Sequence, residues 1–292
     1  MPDTFVTILD VVIGGLLNGG LFALISMGLS LQYGVARVLN VSHGEFIMVG
    51  AFATWWLFTK FGIDPLLCLL IVGPIIFIIG YVLHRTLFRS LLKSSPSLPA
   101  FEARALLAAF GLYFIVQQLM ILGWGSAPRD YTYLASSVDL GGAIFPLNRL
   151  VTLGFAIGIA LAFYLFLART RMGKAIRAAA QDPATAGLMG VNINQVLAIC
   201  FGLGVLMAGL AGVLYSISYT LNISKGLEFT VIAIIVVVLG GMGSIPGSFI
   251  GGIIMGLIRQ IVLYIQPDLE MAAFLAIFVI LLLVRPKGIF GK

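Results

Sequence analysis

Residues 39–46, Leu-Asn-Val-Ser-His-Gly-Glu-Phe, hold the densest set of reactive side chains in an apolar stretch, with Asn40, Ser42, His43 and Glu45 forming the only polar cluster between Arg37 and Lys60. An ionisable group inside an apolar span is a functional candidate by default, because burying it is costly. A histidine and a carboxylate two positions apart suggest acid–base chemistry. On a helix, however, a two-residue step turns by roughly 200°. His43 and Glu45 therefore leave on opposite sides, which withholds the paired acid and base that a membrane-embedded enzyme would need. Ser42-x-x-Glu45 ahead of an apolar run is also the capping box, whose two side chains satisfy free backbone N–H groups at a helix start. That cap accounts for Glu45 without a transport role. A helix starting within the membrane also points its positive end at whatever passes, a carboxylate included, and both readings stand.

The pattern returns once. Leu221-Asn222-Ile223-Ser224-Lys225-Gly226-Leu227-Glu228-Phe229 repeats residues 39–46 with one residue inserted, so the serine-to-glutamate spacing becomes four and the capping box is lost. With five spans in the first half, the two copies fall on opposite sides of a membrane, as in an inverted repeat. Chance similarity of so short a match remains the competing explanation. Asn18 and Gln32, fourteen residues apart, lie about 40° apart around a helix of ~3.6 residues per turn; they either line one polar face or each make an interhelical hydrogen bond. Gly240, Gly241, Gly243, Pro246 and Gly247 break the chain after a short apolar run. Such a break needs protein or water around its free backbone groups, either as a tight turn or as a broken helix beside a path.

The longest polar interruption is Arg169 to Gln195. Thr170 can cap a short helix reaching about Gln181, Asp182-Pro183 reads as an N-cap followed by proline at the first helical position, and Gly190 can close the second helix. Two short helices meeting at a corner, with Ala178, Ala179 and Ala180 on the first, make a compact knob rather than a linker.

These features sit in a chain of 292 residues that is 61% hydrophobic and 10% charged, with a mean hydropathy of +1.13. A soluble domain carries roughly 25% charged residues, so the expected fold is all-α, a polytopic transmembrane helix bundle of about 8–10 spans, each needing ~20 residues. The spans consume most of the chain and leave a single transmembrane domain over 1–292. The first span is expected near Val11–Tyr33, retained because no Lys or Arg precedes it; the third runs from Leu66 to Leu83, followed by a basic loop with Arg85, Arg89, Lys93 and Arg104. The fourth covers about Ala105–Leu122. Residues 125–149, with Gly141-Gly142, form a long loop on the other side, either disordered or a docking surface. Of the 17 cations, Arg37, the four of that basic loop, Arg169, Arg171, Lys174 and Arg177 of the knob, and three in the C-terminal tail fall on one side. The positive-inside rule makes that side cytoplasmic, with the N-terminus outside and the C-terminus inside. The net charge of +6 is thus an orientation signal and not a nucleic-acid patch. Cys68 and Cys200 fall within apolar spans and give no disulfide framework.

No Gly-x-x-x-x-Gly-Lys-Ser/Thr stretch is present, so the chain has no usual cradle for ATP phosphates. His43 and His84 alone give no metal-ligand spacing, and few carboxylates fall inside spans, against a proton- or sodium-coupled carrier. The segments Val38–Gly50, Arg169–Gly190, Gly240–Gly247 and Arg285–Gly291 resemble, in order, four signatures of the branched-chain amino acid permease family of ABC importers. With the hydropathy between them they cover nearly the whole chain, and its length and early Asn-x-x-His-Gly-Glu segment resemble the shorter of two paired permease types. The resemblance implies a bacterial inner-membrane permease subunit for branched-chain or related amino acids, not itself an enzyme. It would have no cofactor of its own, with ATP and Mg in two ATP-binding partner subunits. A second permease subunit, a periplasmic or extracellular solute-binding protein and membrane lipid are the other implied partners. It implies that 169–195 is the coupling element, although Ala178-Ala179-Ala180 departs from the Glu-Ala-Ala of many importer permeases. Arg171, Gly173, Lys174, Arg177, Ala179, Asp182, Gly187 and Gly190 are the coupling candidates. Asn18, Gln32, Asn40, Ser42, His43, Glu45, Asn222 and Ser224 are the path candidates, and Gly240, Gly241, Gly243, Pro246 and Gly247 the structural turn. Family members also carry urea, short amides and other small organic solutes, and a stand-alone carrier or channel is the rival from another class.

Overall fold

The computed structural model describes residues 4–140, 142–285 and 288–290. Gly141 and three residues of the tail signature (286, 287 and 291) lie outside the described residues. The chain is an all-α bundle in which, among the described residues, seven helical segments are long and apolar enough to cross a membrane. In chain order the helices are α1 (Thr4–Ala36), α2 (His43–Phe61), α3 (Cys68–Leu83), α4 (Arg89–Ser94), α5 (Leu98–Trp124), α6 (Leu147–Arg169), α7 (Arg171–Gln181), α8 (Pro183–Leu188), α9 (Ile193–Ser218), α10 (Lys225–Gly240), α11 (Ile245–Ile265) and α12 (Glu270–Val284). One antiparallel hairpin, β1 (Ser137–Leu140) with β2 (Ala143–Pro146), precedes α6.

Glycine decides how closely these helices pack. A Cβ on Gly19 would meet the Ile253 backbone at 2.9 Å, one on Gly15 the Leu257 Cα at 2.8 Å, and one on Gly256 would fall on Gly19; α1 and α11 therefore touch backbone to backbone. On the other side, Gly202 faces Phe77 and Gly80 faces Val205 and Gly202, so α9 lies along α3 in the same manner. Where apolar solvent gives no hydrophobic drive between helices, such close approach supplies the dispersion contacts that hold them. The matching pairs, first helix of one half on third helix of the other, are what an exchange of elements between two inverted halves produces.

Two expectations change. The basic stretch after α3 is not a loop. The chain passes through a π-turn at His84–Phe88 directly into α4, so Arg85, Arg89 and Lys93 ride on a helix, whose carbonyls stay satisfied by that continuation. Arg104 stands inside α5, which begins at Leu98 with Ser97 as its cap. The long segment after α5 is anchored: Arg129 and Leu221 exchange backbone hydrogen bonds of 3.0 and 2.7 Å, Tyr131 and Ser216 share a 2.9 Å bond, and Tyr133 donates to Asp64 at 2.8 Å. The glycine-rich break is a tight turn. Gly241 and Gly243 take φ of +95° and +83°, and Ser244 caps α11 with Pro246 in its first turn.

Candidate translocation and coupling site

Residues 37–42 turn back into the bundle after α1, and His43 lies beside Ile25 and Gly28. That is two to three turns inside the end of α1, roughly 12–16 Å at ~1.5 Å per residue, so α2 starts at depth. The second copy enters from the opposite end, after α9, whose last turn bonds Asn148 at the start of α6. Both copies fold alike. Asn40 Oδ1 accepts from Ser42 N at 3.2 Å and Asn222 Oδ1 from Ser224 N at 3.0 Å; His43 N donates to Asn40 O at 3.1 Å and Lys225 N to Asn222 O at 3.0 Å. Each asparagine thereby builds the same Asx turn in front of a helix.

The two helix starts meet at Gly44 and Gly226. A side chain on Gly44 would fall on the Gly226 carbonyl oxygen, and one on Gly226 would fall on the Glu45 carboxylate. Thr230 ties the crossing: it accepts the Gly44 N–H at 2.8 Å and its hydroxyl lies 2.9 Å from Val41 O. This contact replaces the expected capping box. The Ser42 hydroxyl donates to Asn40 Oδ1 at 2.6 Å, Ser42 makes no side-chain cap, and both Glu45 oxygens lack a partner. Asn40 has claimed Ser42, and Thr230 has claimed a backbone N–H that a cap would have used. His43 and Glu45 diverge as expected, His43 Nε2 3.0 Å from Ile25 O and Glu45 against α10.

Asn40, Ser42, His43 and Glu45 are all fully buried. Asn40 Nδ2, His43 Nδ1, Gln32 Oε1 and the Glu45 carboxylate have no partner. Unpaired buried polar atoms each cost about 1–3 kcal/mol, so their concentration at the first re-entrant start is a feature that packing alone would remove. Asn222 is half-buried and Ser224 exposed, outside this buried set. Asn18 and Gln32 are interhelical rather than one polar face. Gln32 donates to Phe201 O at 3.2 Å; Asn18 accepts from Tyr219 and Arg259, each at 2.8 Å, and Arg259 also pairs with Glu270 at 2.7 Å. Thr230 and Arg259 were missed. Thr230 had a signal, as the one hydroxyl in the run from Phe229 to Gly240.

At the other candidate site, Thr170 caps α7 by accepting from Gly173 N at 2.9 Å, and Asp182 caps α8 by accepting from Ala184 N at 2.9 Å and Thr185 N at 3.2 Å. The Thr185 hydroxyl and N–H, followed by the Ala184 N–H, hold the Asp182 carboxyl below the usual aspartate range. Gly173 abuts the Leu167 carbonyl and Ala179 is buried. Arg177 donates to the carbonyls of Leu167 and Ala168, capping the negative end of α6. These three residues fasten the knob. Arg171, Lys174, Asp182, Gly187 and Gly190 are exposed, joined by Leu188 and Met189 at 88% and 81%, an apolar tip the sequence reading passed over.

A helical bundle of membrane length, with two re-entrant helices meeting inside it and a capped knob at one end, is the architecture of a multi-pass membrane permease. Residues 11–284 match the family described as branched-chain amino acid transport system / permease component, and the chain belongs to that family. It is 30% identical to the high-affinity branched-chain amino acid transport system permease protein LivH of Salmonella typhimurium, over 100% of this chain and 98% of the relative. It is 29% identical to the corresponding permease BraD of Pseudomonas aeruginosa, with the same coverage. The probable permease LivM of Methanocaldococcus jannaschii is 26% identical over 80% of this chain and 75% of its own length. No solved structure matches.

Proposed function

We propose that this chain is one permease subunit of an ATP-driven importer of branched-chain or related small amino acids, paired with a second permease and served by two ATP-binding subunits and an external solute-binding protein. The observation that carries the reading is the knob. Two helices with separate side-chain caps, fastened to α6 by Arg177 and presenting Arg171, Lys174, Leu188 and Met189 outward, form a rigid protrusion that a stand-alone carrier has no use for. Its apolar tip at Leu188 and Met189, with Arg171 and Lys174 exposed on the same knob, suits a groove on a soluble partner. The knob and α4 face the cytoplasm in this reading, since their cations then obey the positive-inside rule, and the N-terminus and β-hairpin face outward. Amino acid passes beside the Gly44–Gly226 crossing, where a positive helix end suits the carboxylate and Glu45 suits the ammonium. Differential contacts of the ATP-bound and ATP-free partners with the knob supply the bias between the two openings. LivH and LivM relatives in one organism support a paired assembly.

Co-purification from cells expressing the chain with its neighbouring genes tests this. An ATPase subunit is expected with the native chain and is expected to be lost on L188D/M189D, surface changes that leave the caps and the Arg177 contacts intact. A chain that purifies alone and still moves leucine into liposomes without ATP would overturn it.

A further inference from the structure

A cavity of about 350 Å³ lies where α7 meets α1, α6 and the start of α11. It adjoins a second of about 260 Å³, the two sharing Tyr164, Ile245 and Pro246 as lining. The two halves differ in chemistry. The deeper one is apolar, walled by Ile157, Leu161 and Ile250, which are 44%, 55% and 40% exposed on the surface of the spans. The half beside the knob includes Arg177, which spends two of its five N–H donors on α6 carbonyls, and Ser30, fully buried with no partner for its hydroxyl. No acidic residue lines either half. Arg37, Arg169, Arg171 and Lys174 stand exposed at the same end of the bundle. Along α6 the groove runs from Ala168 to Ile157, roughly 16 Å at ~1.5 Å per residue, which is one leaflet of a hydrocarbon core ~30 Å thick.

We propose that this groove between α6 and α11 binds one anionic phospholipid, its acyl chain along Ile157, Leu161 and Ile250 and its phosphate at Arg177. A single-leaflet apolar slot that ends at a cation is complementary to that molecule. Basic pockets between spans on the cytoplasmic side recognise such headgroups. The bound lipid bridges α7 to α1 and α11, so it stiffens the seat of the knob. The inference rests on the membrane placement of the spans and not on any ATP-binding partner.

Native mass spectrometry of the delipidated chain, titrated with phosphatidylglycerol and separately with phosphatidylcholine of the same chains, reads the site directly. Wild type is expected to retain phosphatidylglycerol at least tenfold more tightly. R177Q is expected to bring the two lipids within about threefold, whereas R177K keeps the preference. Because R177Q also loosens the α6 cap, Ile250→Trp serves as an independent variant; it fills the slot and is expected to lower retention of both lipids with the knob untouched. Equal retention of the two lipids by wild type, or full phosphatidylglycerol retention by both R177Q and Ile250→Trp, overturns the proposal. So does a groove left without lipid because the second permease subunit covers it.

Discussion

Replacing Gly44 with alanine tests whether the two re-entrant helices are held by backbone contact. An alanine Cβ at this position overlaps the Gly226 carbonyl oxygen and comes within 2.7 Å of Thr230 Oγ1. The first obstacle is main chain in the interior of the bundle and cannot rotate away, so α2 and α10 must separate. Overpacking of a well-packed interior costs about 1–3 kcal/mol, and rigid backbone on both sides places this case at the upper end. Separation also stretches the 2.8 Å hydrogen bond from Gly44 N to Thr230, worth about 1 kcal/mol net. A total near 3–4 kcal/mol corresponds to a fall in Tm of about 6–16 °C, using ~2–4 °C per kcal/mol for a chain this large. Gly111→Ala in α5 is the control, since nothing lies within 4 Å of its added Cβ; removing a helical glycine there should raise stability slightly. Thermal unfolding of the detergent-solubilised chain, followed by tryptophan fluorescence, compares the two. If Gly44→Ala melts within 2 °C of wild type, the crossing is not a backbone contact and the proposed geometry of the site fails with it.

Thr230→Val leaves the Gly44 N–H buried without its acceptor, and a loss of about 1–3 kcal/mol is expected in the same unfolding assay. Glu45→Gln keeps shape and removes the ionisable group; thermal stability equal to or above wild type, with leucine uptake by the reconstituted complex at least tenfold lower, is the expected pair of results. Wild-type uptake would remove Glu45 from the path. Gly243→Ala forces a side chain into φ +83° against Gly34, and should cost about 1–2 kcal/mol. Asp182 is held below its ordinary range by its cap bonds, so its contribution is present above the unfolded aspartate value near 3.9 and is lost as pH falls through the lower folded value. Amide exchange in α8 should therefore quicken on acidification through that window, and Asp182→Ala should exchange fast throughout and lose the dependence.

The knob was legible almost residue by residue because its determinants are local. Thr170, Asp182-Pro183 and Gly190 act within a few positions of themselves, and local rules describe them. The turn at Gly240–Gly247 was legible as a break for the same reason. Its choice between turn and broken helix depended on Gly34 meeting Gly243, a contact across more than two hundred residues. Glu45 misled because a capping box is also a local rule, and here a distant residue overrode it: Thr230 took the N–H, and Gly226 made room for the carboxylate. The basic stretch after α3 reads as a loop in sequence because four cations interrupt the apolar pattern there. Arg85, Arg89 and Lys93 are equally at home on a helix leaving the hydrocarbon, where long side chains reach water.

The internal repeat gives the two candidate sites a mechanical connection that neither shows alone. The knob rests on α6 and on the first turns of α9, and α9 is the helix through which Gly204 meets Gly28, and Gly209 and Gly212 meet Gly50 and Ile47 of α2. Each of these contacts is backbone on backbone, with no flexible side chain between to absorb a displacement. Packed interiors respond to such displacements by moving as units rather than deforming continuously. A tilt imposed on α9 at the knob therefore arrives at α2 beside the Gly44–Gly226 crossing. The crossing is also the place where unpaired Asn40, His43 and Glu45 atoms leave an alternative arrangement with hydrogen bonds to gain. A side chain larger than glycine at Gly50, whose added Cβ would fall on the Gly209 carbonyl, would force α2 and α9 apart and loosen this transmission while leaving the knob untouched. In Gly50→Ala, ATPase activity of the assembled complex should persist while leucine uptake falls, and parallel loss of both would show that the link does not run through the α2–α9 contact.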